Sequence, residues 1–220
     1  MIEKTKDFEI RFALKECRYV QKLKREDAAT LTLEEFSIIS TEARIDLAIF
    51  NGHFHGFEIK SDKDTLDRLP HQIDAYNKVF DYLYIVVGEK YLDRVKTVIP
   101  KFWGIIVARK TDSIVQLHKE RRALINRGQD DMTLSSLLWR DELISLLVKY
   151  GVTKGISNKN RTALSKMLCE IVPTKQILKT DVRNQIKQRG DWRVVLKQKQ
   201  CGVKSRPSAK LIHCQWTLPV

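Results

Sequence analysis

Residues 44–50 and 53–60 are two runs of strand-forming residues joined by Asn51-Gly52. Asn-Gly between such runs is a strong hairpin signal, because both residues tolerate the backbone twist of a tight turn. The segments after the hairpin narrow the fold class. Residues 64–81 carry Leu66, Leu69, Ile73, Tyr76 and Phe80 at helical spacing, with Pro70 best tolerated in a first turn. Residues 82–87 then form a short continuous apolar run closed by Gly88, the pattern of a strand buried on both faces. A hairpin, a helix and a buried strand in that order predict a sheet with helices packed on it.

The remaining segments extend this α/β (α+β) pattern. Residues 8–24 read as one helix and residues 30–39 as a β-leaning stretch. A helix over 89–99 stops at Pro100, and strands are expected at 104–108 and 114–117. Beyond about residue 118 the periodicity is purely helical. Leu134 to Leu147 mark one helix, entered at Asp131-Met132-Thr133 and ended at Gly151. Leu164 to Ile171 mark a second and Ile177 to Ile186 a third, with irregular chain over 200–220. The expected organisation is a sheet-and-helix core over 1–118 and a mainly helical region over 119–220.

Charge divides the chain at nearly the same place. Residues 1–112 hold 19 Lys and Arg against 19 Asp and Glu, whereas residues 113–220 hold 21 against 8, which is the whole net charge of +13. A neutral half joined to a basic half implies attraction to a polyanion, nucleic acid being the commonest in a cytoplasm. No window reaches the roughly 18 apolar residues of a membrane span, and no apolar stretch follows a basic start, so a cytoplasmic protein is expected. Cys17, Cys169, Cys201 and Cys214 are too scattered for a disulfide framework or a zinc knuckle.

Asp46, Glu58 and Lys60 are the candidate chemistry. Glu58 and Lys60, two apart on a strand, project from one face, and Asp46 lies on the partner strand. A two-residue Asn51-Gly52 turn would set Asp46 opposite Phe57, on the wrong side. A three-residue loop with Gly52 as a left-handed bulge would set it opposite Gly56, with Glu58 its same-face diagonal neighbour at roughly 7–8 Å. Asn-Gly suits either. Two carboxylates can hold Mg²⁺ or Mn²⁺, hard cations that prefer oxygen. Such an ion activates water and polarises a phosphate, while a lysine stabilises the developing charge. The same three residues are equally at home on a solvent-facing hairpin.

Asp46 followed by Glu58-Ile59-Lys60 on the next strand resembles the D…(D/E)xK pattern of the PD-(D/E)XK nuclease superfamily, and Gln72 to Tyr76 matches the QxxxY motif of its exonuclease-like branches. The segments ARIDLAIFNG, GFEIKSDKDTLDRL and HQIDAYNKVFD are similar to a small bacterial and prophage family of that superfamily. The likeness covers roughly residues 8–110 and departs from the name motif at Ile45, where proline is usual. It implies a restriction-endonuclease-like core with a central mixed sheet flanked by helices, acting as a metal-dependent nuclease. DNA is the expected substrate, in repair, mobile-element maintenance or phage defence; the alternative is a non-catalytic DNA-binding regulator on that scaffold.

By position, the resemblance makes Asp46 and Glu58 metal ligands, with the Ile59 carbonyl a third oxygen and Lys60 the catalytic lysine. Gln72 and Tyr76, one turn apart on a helix, would position the strand or the lysine. An upstream glutamate is expected to join them: Glu35, with Glu34 and Glu42 as alternatives. Arg44 either touches phosphate or pairs with Asp46. Lys179, Arg183 and Lys187 fall on one helical stripe and, with Arg189, Trp192 and Arg193, are the expected grip on nucleic acid. Cutting a duplex needs two active sites in many enzymes, so a homodimer is among the expected assemblies.

Overall fold

The structure is a computed structural model that describes residues 2–38 and 43–189. Among the described residues, seven strands form one mixed sheet: β1 (Ile2–Glu3), β2 (Leu31–Ile38), β3 (Ala43–Phe50), β4 (Phe54–Lys60), β5 (Tyr82–Gly88), β6 (Gly104–Thr111) and β7 (Ile114–Arg121). Antiparallel β2-β3-β4 leads into parallel β4-β5-β6, and β7 returns antiparallel to β6. The short β1 pairs with the far end of β6, at Lys110 and Thr111. The expected α/β architecture, a central mixed sheet flanked by helices, is therefore present.

Helices α1 (Asp7–Glu16) and α2 (Arg18–Arg25) cover one face. The sequence predicts one helix here, but the chain breaks at Cys17, which is extended (φ −66°, ψ 146°). The break lets Ile10 and Leu14 before it, and Val20 and Leu23 after it, pack with Leu47, Ile49, Phe57 and Ile59. On the other face lie α3 (Leu69–Asn77), α4 (Leu92–Val98), α5 (Asp131–Ser135), α6 (Arg140–Lys149), α7 (Arg161–Ile171) and α8 (Lys175–Gln188). The single helix expected over 131–151 is two. Glu142 accepts the Trp139 N–H at 2.7 Å and starts α6 afresh.

Among the described residues, the helical half does not build a core of its own. Leu134, Leu143, Leu168, Val182 and Ile186 belong to the same buried cluster as Phe50, Phe80, Ile85 and Trp103 from the sheet half. β7 also runs to Arg121, past the expected boundary at 118. Asp81, fully buried, ties the halves together. Its carboxylate accepts the Phe54 N–H (2.9 Å) and the Gln129 amide (2.9 Å), and pairs with Lys179. Its carbonyl accepts the Asn126 N–H at 2.8 Å.

That arrangement overturns the expected phosphate grip along α8. The stripe faces inward: Lys179 meets Asp81, Lys187 pairs with Asp27, and Arg183 is only 9% exposed. Arg189 holds both Glu142 oxygens (2.7 and 2.6 Å) and the Leu137 carbonyl (2.8 Å). The sequence pattern missed this because carboxylates from distant segments supply the partners. Trp192 and Arg193 lie outside the described residues.

Removing one side of a buried ion pair strands the other charge, at a cost of about 3–5 kcal/mol. Asp81→Ala, which also orphans the Phe54 N–H, is expected to destabilise the protein by about that amount. Urea unfolding followed by circular dichroism measures it.

Candidate active site

The site is built on a step in two strands. The β2–β3 ladder keeps one register from Leu31 opposite Phe50 to Ile38 opposite Ala43, yet skips Glu35 and Asp46. Glu35 has φ +52°, a left-handed conformation that costs a non-glycine residue about 1–3 kcal/mol. At this point both strands exchange faces. Leu31 and Leu33 before the step, and Phe36 and Ile38 after it, all enter the same core. In β3 the same holds for Ala43 and Ile45 against Ala48 and Phe50. The apolar residues stay inside, and one acidic residue from each strand is left at the step.

Asp46 closes the gap. One carboxylate oxygen accepts the Ile59 N–H at 2.7 Å and the other accepts Arg11 Nη2 at 2.7 Å. Arg11, on α1, also donates to the Asp46 carbonyl (2.9 Å) and pairs with Glu35 (2.8 Å). The hairpin uses neither expected turn. Its loop is residues 51–53, with Phe50 opposite Phe54, and Gly52 is not left-handed. Asn51 makes the turn by accepting the His53 N–H on its side chain at 2.9 Å. In this register β4 sends Glu58 toward α3 and sends Phe57 and Ile59 to the face covered by α1 and α2.

Glu58 is 2% exposed and its carboxylate is held by three donors: Lys60 Nζ (2.6 Å), the Gln72 amide (2.7 Å) and the Tyr76 hydroxyl (2.9 Å). The Tyr76 oxygen lies also 2.7 Å from the Arg44 carbonyl and 3.3 Å from the Gln72 amide. With Pro70 in its first turn, α3 starts at Leu69, which sets Gln72 and Tyr76 one turn apart above Glu58. Burial, and then the nearby Asp46 charge, push the Glu58 carboxyl up to about 7, although Lys60 and Tyr76 favour its anion. Burial also raises Asp46 against the opposing pull of the Ile59 N–H and Arg11.

Asp46, Glu58, Ile59, Lys60 and Gln72 line a cleft of about 400 Å³ with Asp7, Glu35, Arg44, Asp64, Arg68 and His71 at its walls. Buried Glu58 and part-buried Asp46, whose charge raises the proton affinity of Glu58, are oxygen donors of the kind that suits a hard divalent cation. Arg11 and Lys60 already neutralise those carboxylates, so a cation there would compete with them. Among the described residues no group of three or more His, Cys, Asp or Glu side chains is arranged to hold a metal.

The structure thus brings together Asp46, Glu58, Lys60, Gln72 and Tyr76, with Ile59 at the cleft wall. Of the upstream glutamates, Glu35 lines the cleft but is held by Arg11 and by Arg44 Nε (2.6 Å), while Glu34 pairs with Lys15. Glu42 lies outside the described residues. Arg44 therefore pairs with Glu35, not with Asp46. Arg11 is the residue sequence reasoning missed. Its spacing of four from Asp7 on α1 is visible, but its role depends on how α1 crosses the sheet.

An α/β chain with a carboxylate-lined cleft at a step in its sheet is the class that fold and site define. The family model described as "Bacteriophage P4 protein cII" matches residues 3–203, and the chain belongs to that family. "Protein cII" of Enterobacteria phage P4 is 29% identical over 153 residues, which is 70% of this chain and 57% of that protein. The chain thus spans somewhat over half the length of this relative. No solved structure matches. Among the described residues, no helix is long and apolar enough to cross a membrane.

The raised Glu58 carboxyl fixes a sign for pH dependence. Between 4.5 and about 7 the folded chain holds a proton that the unfolded chain has released, so stability falls as pH rises through that window. The contribution is roughly 3 kcal/mol. Glu58→Gln, which keeps the shape and cannot ionise, is expected to flatten this slope. Urea midpoints of both proteins across the window measure it.

Proposed function

We propose that the cleft is the active site of a metal-dependent nuclease that hydrolyses phosphodiester bonds in DNA, on a core of the PD-(D/E)XK kind. The observation that carries this reading is the meeting of Asp46, Glu58, Lys60, Gln72 and Tyr76 around a buried carboxylate and a part-buried one. Asp46, Glu58 and the Ile59 carbonyl are the groups that would hold Mg²⁺ or Mn²⁺. Such an ion supplies an activated water and a Lewis acid for the phosphate. Lys60 balances Glu58 when the site is empty of substrate and stabilises negative charge gathering on phosphorus during attack. Gln72 and Tyr76 fix the Glu58 carboxylate, and Arg44, Arg68 and His71 line the mouth where a phosphate backbone would enter. Membership in a phage P4 family supports a setting in mobile-element biology.

One observation favours the second reading, a DNA-binding protein on the same scaffold without turnover. Asp46 is neutralised by Arg11 and Glu58 by Lys60, so the carboxylates are stable without a metal. On that reading the cleft residues are structural, and binding alone remains.

Incubation of the full chain with single-stranded, linear duplex and circular DNA, with Mg²⁺, Mn²⁺ or EDTA, separates the two. The nuclease reading expects cleavage that EDTA abolishes and that Lys60→Ala or Glu58→Gln lowers about a hundredfold or more. Binding to DNA should survive both substitutions. Salt-sensitive binding with no cleavage under any of the ions supports the second reading. A Lys60→Ala protein that cuts as well as the parent overturns the assignment of the site.

A further inference from the structure

The opposite face of β4 carries a second cavity, of about 490 Å³, separate from the Glu58 cleft. Its floor is β4 and β5, through His55, Tyr82 and Tyr84, and α2 with the Glu26 that follows it forms one wall, through Tyr19, Lys22, Leu23 and Glu26. Lys119 and Arg122, from the end of β7 and just beyond it, form the other wall. His55 is only 4% exposed, yet among the described residues neither of its ring nitrogens has a hydrogen-bond partner. An imidazole buried this way forfeits two hydrogen bonds, a cost native proteins avoid unless another molecule supplies them. Burial, and then the neighbouring His53, lower its pKa to about 4, so at neutral pH one nitrogen donates and the other accepts.

The surroundings restrict what could meet that pair. Tyr82 stacks on His55 (5.1 Å between ring centres, 14° between planes), and the His53 edge closes on both. Tyr19 packs edge-on to Tyr84 at 5.5 Å. The rim is cationic, with Lys22 and Arg122 exposed. The acid among the described lining residues, Glu26, accepts from the Asn51 side chain at 2.8 Å. A planar ring bearing a donor and an acceptor on its edge, joined to an anion, matches an aromatic floor with an unsatisfied imidazole under a basic rim.

We propose that this cavity binds a single nucleotide, its base edge hydrogen-bonded by His55 among the tyrosines and its phosphate held by Lys22 and Arg122. The nucleotide comes either from solution or from the 5′-phosphorylated end of a strand. This is independent of the cleft on the other face of the sheet.

Adenosine 5′-monophosphate, adenosine, inorganic phosphate and a 5′-phosphorylated hexanucleotide are titrated into the full chain, with calorimetry and the His55 ring ¹⁵N resonances as readouts. Adenosine 5′-monophosphate is expected to bind in the millimolar range or tighter and to shift both His55 nitrogens, with adenosine and phosphate each weaker. His55→Phe, which keeps the stacked ring, and Arg122→Ala, at an exposed position, should each weaken it about tenfold. Comparable affinity for the hexanucleotide's terminal residue and the free nucleotide identifies a general nucleotide site. A hexanucleotide that binds about tenfold tighter identifies a strand end. The proposal is overturned if neither phosphorylated probe binds, or if binding leaves the His55 nitrogens unmoved and survives both substitutions.

Discussion

The carboxylate of Asp46 sits where three parts of the chain would otherwise part. β3 and β4 stop pairing regularly after Leu47 and Phe57, and Asp46 takes the Ile59 N–H that the ladder leaves unpaired. The same carboxylate receives Arg11, so α1 is fastened to the sheet at its step. Around this point β2 and β3 exchange faces without losing their apolar alignment. The step is what leaves Glu35 and Asp46 beside Glu58 instead of burying one of them among leucines. An acid so placed would be costly alone; Arg11 and the N–H together make it tolerable.

Much of this was legible in the sequence, for identifiable reasons. The strands and α3 were marked by strong periodicity, and the convergence of Asp46, Glu58 and Lys60 was what one of the two expected turns, together with the resemblance to the nuclease pattern, implied. The route to that convergence was not. Both expected turns assumed a regular ladder through Asp46, whereas the chain uses the Asn51 side chain to close a 51–53 loop and breaks the ladder at the step. A trace of the step is visible in β2: Leu31 and Leu33 alternate, then Glu34-Glu35 interrupts, and Phe36 and Ile38 resume one residue out of phase. Read as a phase change, that interruption marks the point where Glu35 turns left-handed.

The basic half shows the limit of reading charge by composition. Net charge fixes long-range attraction, but the role of each lysine depends on what a fold places against it. Asp27, Asp81 and Glu142, from three separate segments, draw Lys187, Lys179 and Arg189 inward. A helical stripe of cations is therefore part of what holds α8 to the sheet. The same carboxylates explain why the helical half shares a core with the first half instead of standing as a separate unit.

The strand β4 is a wall between two chambers, with Glu58 on one side and His55 on the other. Because neighbouring strand residues point to opposite sides, a slip of one residue would turn the imidazole toward the acidic cleft and drive the carboxylate in among Tyr19 and Tyr84. The device that forbids the slip is small. Asn51, almost wholly buried, grips the His53 N–H, the Leu23 carbonyl and Glu26 at once. One asparagine side chain thus serves as the latch that keeps both chambers facing their own contents.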